Sequence, residues 1–345
     1  MTEVCVSSTP AGRRGLRWTA ALGIVAVALL CSSAGVSAAS ASIESTFAAN
    51  GPYATSSVNV LPNASGSPQY EIFYPSNYAA LGFKSPIVTW GNGTNGNPDE
   101  YSILLKHFAS WGFTVVASTV PNTGPGVEIA GGVLVAAYEN GTAGTPFYNQ
   151  LDTGNVAAVG HSQGAGGAVN AAVKYPSMFK AVMTFSLPSL STVTNPFLPA
   201  NPACPLTATQ QENACYFNPA ALTVPTFFIG TRGGSDSVIA SPATETAFYN
   251  SVSGHFAALG LINQTTDPNG TTSAADHNSI MEPPPPGATN VCNQGHPYGY
   301  LGYATAWLEA ALRGNWAAIL AFAGTSPYPE IVNNPNWSGS LTKTG

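Results

Sequence analysis

The chain has 345 residues, of which 44% are hydrophobic and only 8% charged, and its formal net charge is −6. The hydrophobic share is ample for a buried core and excludes a disordered chain. The few cations are dispersed, so no basic patch exists to hold a phosphate backbone and nucleic acid is not an expected partner.

The first stretch reads as a processing segment. Arg13, Arg14 and Arg17 precede the apolar run Trp18 to Leu30, and small residues follow from Ser32 to Ser42. This is the pattern of a secretory signal, so residues 1–41 are expected to be removed and the mature protein exported, without stable membrane insertion afterwards. Because the run approaches the length of a short span, a retained anchor is the alternative. Removing Glu3 and the three arginines takes the net charge from −6 to −8. In an oxidising compartment Cys204 and Cys215 are expected to bridge a local loop and leave Cys292 odd; Cys292 bonded to either of them is the alternative. No Cys/His cluster has zinc spacing, so no metal is expected, and the working expectation is a monomer.

Beyond the signal, Ser57 to Val60 alternates as a strand does, and Tyr70 to Tyr74 reads as a second edge strand ending at Pro75. Pro86 to Trp90 is a short apolar strand that runs into the glycine-rich stretch Gly91 to Gly96. Glu100 to Trp111 has helical spacing through Tyr101, Leu104, Leu105 and Phe108. Buried-type strands follow at Phe113 to Ser118, Val156 to Val159, Ala181 to Phe185 and Val224 to Gly230, with Phe256 to Ile262 as the last. Helices are predicted from Val127 to Glu139, after Ser162 to about Lys174, from Ala243 to Val252 and from Tyr298 to Leu312. Residues 188–220 are too long for an ordinary connection and read as an insertion or lid over the site. The tetraproline Pro283–Pro286 reads as a stiff loop, and residues 326–345 as an extended tail. Alternating strands and helices with continuous apolar strands predict an α/β fold, a mostly parallel, doubly wound sheet flanked by helices.

Gly160-His161-Ser162-Gln163-Gly164 sits between a strand and a helix, the context that makes G-x-S-x-G a nucleophile elbow. A side chain at either glycine would clash where strand and helix cross, and a strained serine lifts its Oγ out of the sheet. The bland reading is a glycine-rich turn with an ordinary capping serine. Partners for Ser162 are therefore sought downstream. Asp236 stands in a glycine-rich loop at the carboxyl end of the Val224–Gly230 strand, where ligands collect in such sheets. Glu245, Asp267 and Asp276 are weaker candidates for the acid. Among five histidines, His277 and His296 lie beyond the last strand, and nearness to that strand favours His277. An oxyanion hole needs two backbone N–H groups, and these are expected from Gln163 and from the Trp90–Gly96 loop, with Thr94 favoured.

Several stretches in the same order resemble the secreted bacterial cutinase/PET-hydrolase-like group of α/β-hydrolases (polyesterase-lipase-cutinase). They are Gly51-Pro52-Tyr53, Phe73 to Asn77, Ala109 to Phe113, Leu151-Asp152-Thr153, the elbow, Val224-Pro225-Thr226, Asp236-Ser237 and Ala306-Trp307. They span about residues 51–313, within a catalytic domain read as residues 42–325, and the resemblance implies an α/β-hydrolase, an ester substrate and no cofactor. It also implies Ser162, Asp236 and His277 as a catalytic triad, with Thr94 and Gln163 as the oxyanion hole. The chain departs from that group at Leu187-Pro188, where the family often places an aromatic clamp, and in the insertion that follows; both departures bear on polymer cleavage. The expected activity is hydrolysis of carboxylic esters through an acyl-enzyme. A serine peptidase or transacylase with the same triad, and a non-catalytic binding protein on this fold, are the alternatives.

Overall fold

The structure, a computed structural model, describes residues 41–62, 68–189, 217–283 and 295–344. The signal segment, most of the 188–220 insertion and all five cysteines lie outside the described residues, and so does the proposed disulfide. From Ser42 onward the chain forms one compact unit. Among the described residues no helix is long and apolar enough to cross a membrane.

Eleven strands and eight helices follow one another along these residues. The helices are α1 (Ile43–Ala48), α2 (Ser102–Ser110), α3 (Val127–Gly141), α4 (Gln163–Lys174), α5 (Pro242–Ser251), α6 (Leu301–Arg313), α7 (Trp316–Ile319) and α8 (Glu330–Asn333). The strands are β1 (Thr55–Pro62), β2 (Pro68–Pro75), β3 (Ser85–Gly91), β4 (Thr114–Ser118), β5 (Leu151–His161), β6 (Ala181–Phe185), β7 (Thr226–Thr231), β8 (Ala257–Ile262), β9 (Gln264–Thr266), β10 (Thr272–Ala274) and β11 (Leu341–Lys343). Nine of them form one sheet in the order β1-β2-β4-β3-β5-β6-β7-β8-β11. Pairing is parallel from β4 through β8, and antiparallel where β2 meets β4 and where β11 meets β8.

The apolar runs make the sheet's two faces. Alternation sends Ile87, Val156, Ala158, Val182 and Phe228 to one side, where residues of α3, α4 and α5 cover them. Val88, Trp90, Val159, Met183 and Phe227 go to the other, under α1, α2 and α6. Every residue of β3, β4, β6, β7 and β8 is buried, which is why those segments read as continuous hydrophobic runs. This is the architecture of an α/β-hydrolase fold.

Three expectations change at the sheet's margins. β2 is not an edge strand, because it pairs with β1 on one side and β4 on the other. β8 is not the last strand. The predicted extended tail carries α8 and then β11, which closes the sheet beside β8, and Trp337 is fully buried. Trp337 lies where Gly260 leaves room, since a Cβ there would come within 2.8 Å of the indole. The third change is the β9–β10 hairpin, a separate two-stranded ribbon between β8 and His277.

Candidate active site

The elbow forms where β5 ends and α4 begins. Ser162 precedes the helix with φ 52° and ψ −120°, a left-handed conformation that ordinary residues avoid. Crowding enforces it. A Cβ on Gly160 would lie 2.2 Å from the Gly164 carbonyl oxygen, and one on Gly164 would lie 2.1 Å from the Gly91 oxygen. Both obstacles are backbone, so neither position tolerates a side chain without moving a strand.

Ser162 Oγ–H donates to His277 Nε2 at 2.9 Å, and His277 Nδ1–H donates to Asp236 Oδ1 at 2.6 Å. Asp236 is fully buried in a tight turn just past β7. Its second oxygen, Oδ2, accepts Ser186 Oγ–H at 2.7 Å and Thr231 Oγ1–H at 2.8 Å. With His277 Nδ1–H, these two hydroxyls give the buried carboxylate three hydrogen-bond donors. Ser186 at the end of β6 also has a positive φ, 49°. Neither hydroxyl stands out in the sequence; Thr231 ends the same strand that presents Asp236, the only local sign of its role.

His277 does not leave β8 directly, as expected from the sequence. The hairpin intervenes, and Ala275 N–H then bonds the carbonyl of Asn263, at the end of β8, at 3.0 Å. The detour brings the chain back beside the strand end, so His277 arrives where a direct loop would put it. His296 is elsewhere: its backbone N–H holds the Ser279 carbonyl at 2.9 Å, and it precedes the turn into α6.

The loop after β3 is stitched down on both sides of Thr94. Gly93 N–H donates to Tyr101 Oη, Asn95 N–H to the Pro121 carbonyl and Gly96 N–H to the Gly93 carbonyl. Asn92 Nδ2 donates to the Ser118 carbonyl at 2.6 Å while its Oδ1 accepts Trp90 Nε1–H. Thr94 N–H donates to none of the described residues, and Thr94 is exposed. Gln163 is the first residue of α4, so its amide belongs to the positive end of that helix. Its side-chain Nε2 lies 3.5 Å from Asn122 Oδ1.

Of the weaker acid candidates, Glu245 is the informative one. It is fully buried on α5, its Oε1 accepts Leu187 N–H at 2.8 Å, and burial, reinforced by the nearby Asp236 charge, pushes its carboxyl well above the usual range. Leu187, where the resembled family often has an aromatic clamp, is itself fully buried. Asp276 turns its Oδ1 to the Asn278 amide, and Asp267 lies in the β9–β10 hairpin. Among the described residues no group of histidine, cysteine and carboxylate side chains could hold a metal ion.

Residues 147–236 match the model of the Esterase family, described as "Putative esterase". The matched stretch contains β5, the elbow, α4 and Asp236, and ends before His277. Taken with the fold, the match supports an ester hydrolase of the α/β-hydrolase type.

Proposed function

We propose that this chain is an exported serine hydrolase of carboxylic esters, of the cutinase, polyesterase or lipase kind, with Ser162 as nucleophile. The observation that carries the reading is the unbroken run from Ser162 Oγ through His277 to Asp236, at 2.9 and 2.6 Å, on a strained strand–helix turn. Ser162 Oγ attacks the ester carbonyl carbon while His277 Nε2 takes its proton. The Thr94 and Gln163 amides hold the oxyanion of the tetrahedral intermediate. Collapse expels the alkoxide, which takes the proton from His277, and leaves an acyl-enzyme on Ser162. Water then attacks the acyl carbon, with His277 as base, and releases the acid and the free serine. Asp236 keeps Nδ1 protonated throughout and stabilises the imidazolium. The chemistry uses only groups of the chain and water.

The test is Ser162→Ala assayed with p-nitrophenyl butyrate, alongside labelling of the wild type by a fluorophosphonate. The variant stays folded, loses about 10⁴-fold or more in kcat, and takes no label. Turnover at the wild-type level in Ser162→Ala would sink the mechanism. Export with cleavage rests on the basic and apolar pattern of residues 1–41; absence of the protein from the medium overturns export, and N-terminal sequencing that finds a start at Met1 overturns cleavage.

A further inference from the structure

His161 takes no part in the proton path, yet both of its ring nitrogens are bonded and the residue is 1% exposed. Its Nε2–H donates to the backbone carbonyl of His277 at 2.8 Å. A carbonyl only accepts, so this nitrogen carries the proton and Nδ1 is left as an acceptor. Tyr101 O–H donates to that Nδ1 at 2.9 Å, and the same phenol oxygen accepts Gly93 N–H at 3.0 Å. The donors all point one way, from Gly93 to Tyr101 to His161 to His277. Space is equally tight, because a Cβ on Gly93 would fall 2.9 Å from both His161 Nδ1 and Tyr101 Oη. Burial, with the nearby His277 adding to it, holds the His161 imidazole neutral, and a proton on Nδ1 would break the link from Tyr101.

We infer that Tyr101 and His161 are positioning residues, a hydrogen-bonded strut that sets the distance between the Thr94 loop and the backbone of His277. The inference rests on the serine-hydrolase reading of the site. One end of the strut holds Gly93, the residue directly before the Thr94 amide. The other holds the residue whose ring must reach Ser162 and Asp236 at once. The His161 ring lies against that of His277, with centroids 4.8 Å apart, but its hydrogen bonds go to Tyr101 and the His277 backbone, so it acts through His277. A shift of about 1 Å at either end can cost about 100-fold in rate. The loss belongs to the transition state, so it is read in kcat and not in KM.

Four full-chain variants test this: Tyr101→Phe, His161→Asn, His161→Gln and the Tyr101→Phe/His161→Asn double. Phenylalanine keeps the ring and removes the hydroxyl. Asparagine can place its Oδ1 where Nδ1 stands and keep Tyr101, but it is too short for the His277 carbonyl. Glutamine reaches that carbonyl with its Nε2 and gives up Tyr101. With p-nitrophenyl butyrate, well below each melting temperature, Tyr101→Phe and His161→Asn lower kcat about 10- to 100-fold while KM stays within about twofold. His161→Gln retains more kcat than His161→Asn. The double variant loses no more than the worse single one, because a strut already broken cannot be broken again. Wild-type kcat in Tyr101→Phe and His161→Asn, with only a lowered melting temperature, overturns the inference, and so do fully additive losses in the double. Ser162→Ala in the same assay keeps the two readings apart: if it is active the hydrolase reading fails, whereas an inert Ser162→Ala beside unimpaired strut variants condemns the strut alone.

Discussion

Ser162 is held at one strand–helix crossing, packed against Gly91 and with its N–H bonded to the Phe185 carbonyl at 2.9 Å, whereas His277 is held by residues gathered from many parts of the fold. At the elbow Gly160 and Gly164 let β5 and α4 cross beside Gly91, and Ser162 sits there with φ 52°. The segment from Ala275 to Glu282 has some bonds of its own, such as Asp276 N–H to Ser279 Oγ at 2.9 Å. Its place, however, is set from outside. Asn263 receives it at one end, His161 holds the His277 carbonyl, His296 holds Ser279, and Glu282 reaches the start of α2. There the Glu282 carboxylate accepts Ser102 Oγ–H at 3.0 Å and Ile103 N–H, and Glu282 N–H donates to the Glu100 carbonyl at 2.6 Å. Ser162 is thus fixed mainly by sterics at one crossing, and His277 by several weak bonds at many points. Such a segment is lost by degrees, and the elbow all at once.

The sharpest break of that contrast lies within the distributed side. His277→Ala is expected to lower kcat about 10⁴-fold or more while the variant stays folded at the assay temperature, because it removes the proposed base. His296→Ala keeps the backbone bond to Ser279 and is expected to hold kcat within a few-fold while lowering stability by about 1 kcal/mol. An inert but stable His296→Ala beside an active His277→Ala would exchange the two roles.

Gly164→Ala attacks the crossing that holds Ser162. Its new methyl group would meet the Gly91 carbonyl oxygen at 2.1 Å, so the variant is expected to lose at least about 3 kcal/mol of stability or fail to accumulate. Urea melts settle the matter, and a loss under about 1 kcal/mol would show the crossing to be looser than it looks.

Glu282→Ala removes one of the several external anchors. It should cost about 1 kcal/mol, the ordinary value of a helix N-terminal cap, and reduce kcat by less than tenfold. A loss as deep as that of His277→Ala would mean that the anchors are not shared.

The smallest effect is in the pH dependence of stability. His107 on α2 donates Nε2–H to the Phe47 carbonyl at 2.8 Å, and burial pulls its imidazole from 6.5 down to about 4. The unfolded chain binds this proton below 6.5 and the fold does not. The stability His107 contributes is therefore present above that pH and is lost as pH falls from 6.5 toward 4. His161 acts in the same sense, while Glu245, raised by burial, acts in the opposite one above 4.5. His107→Gln keeps a donor for Phe47 and removes the titration. Its melting temperature should drop less than the wild type's between about pH 7.5 and about pH 4.5; an equal drop would assign the acid sensitivity to other groups.

The sequence by itself determined the parts whose cause is local. Val156 to Val159 is a buried strand because it has no polar residue to turn to water. Gly160 and Gly164 announce a crossing because only glycine fits there, and Asp236 can be found because it follows a strand by a few residues. Tertiary structure decided what depends on partners far along the chain. Residues 326–344 carry no strong strand pattern, and Leu341–Lys343 becomes a strand only because β8 offers an open edge and Trp337 fills the space above Gly260. The β9–β10 hairpin is invisible as a device until Ala275 bonds Asn263 and returns His277 to the strand end. Ser186, Thr231 and Tyr101 are ordinary residues in the sequence. Each matters through one hydrogen bond, to Asp236 or to His161, and the geometry of such a bond is created only when distant strands and helices pack.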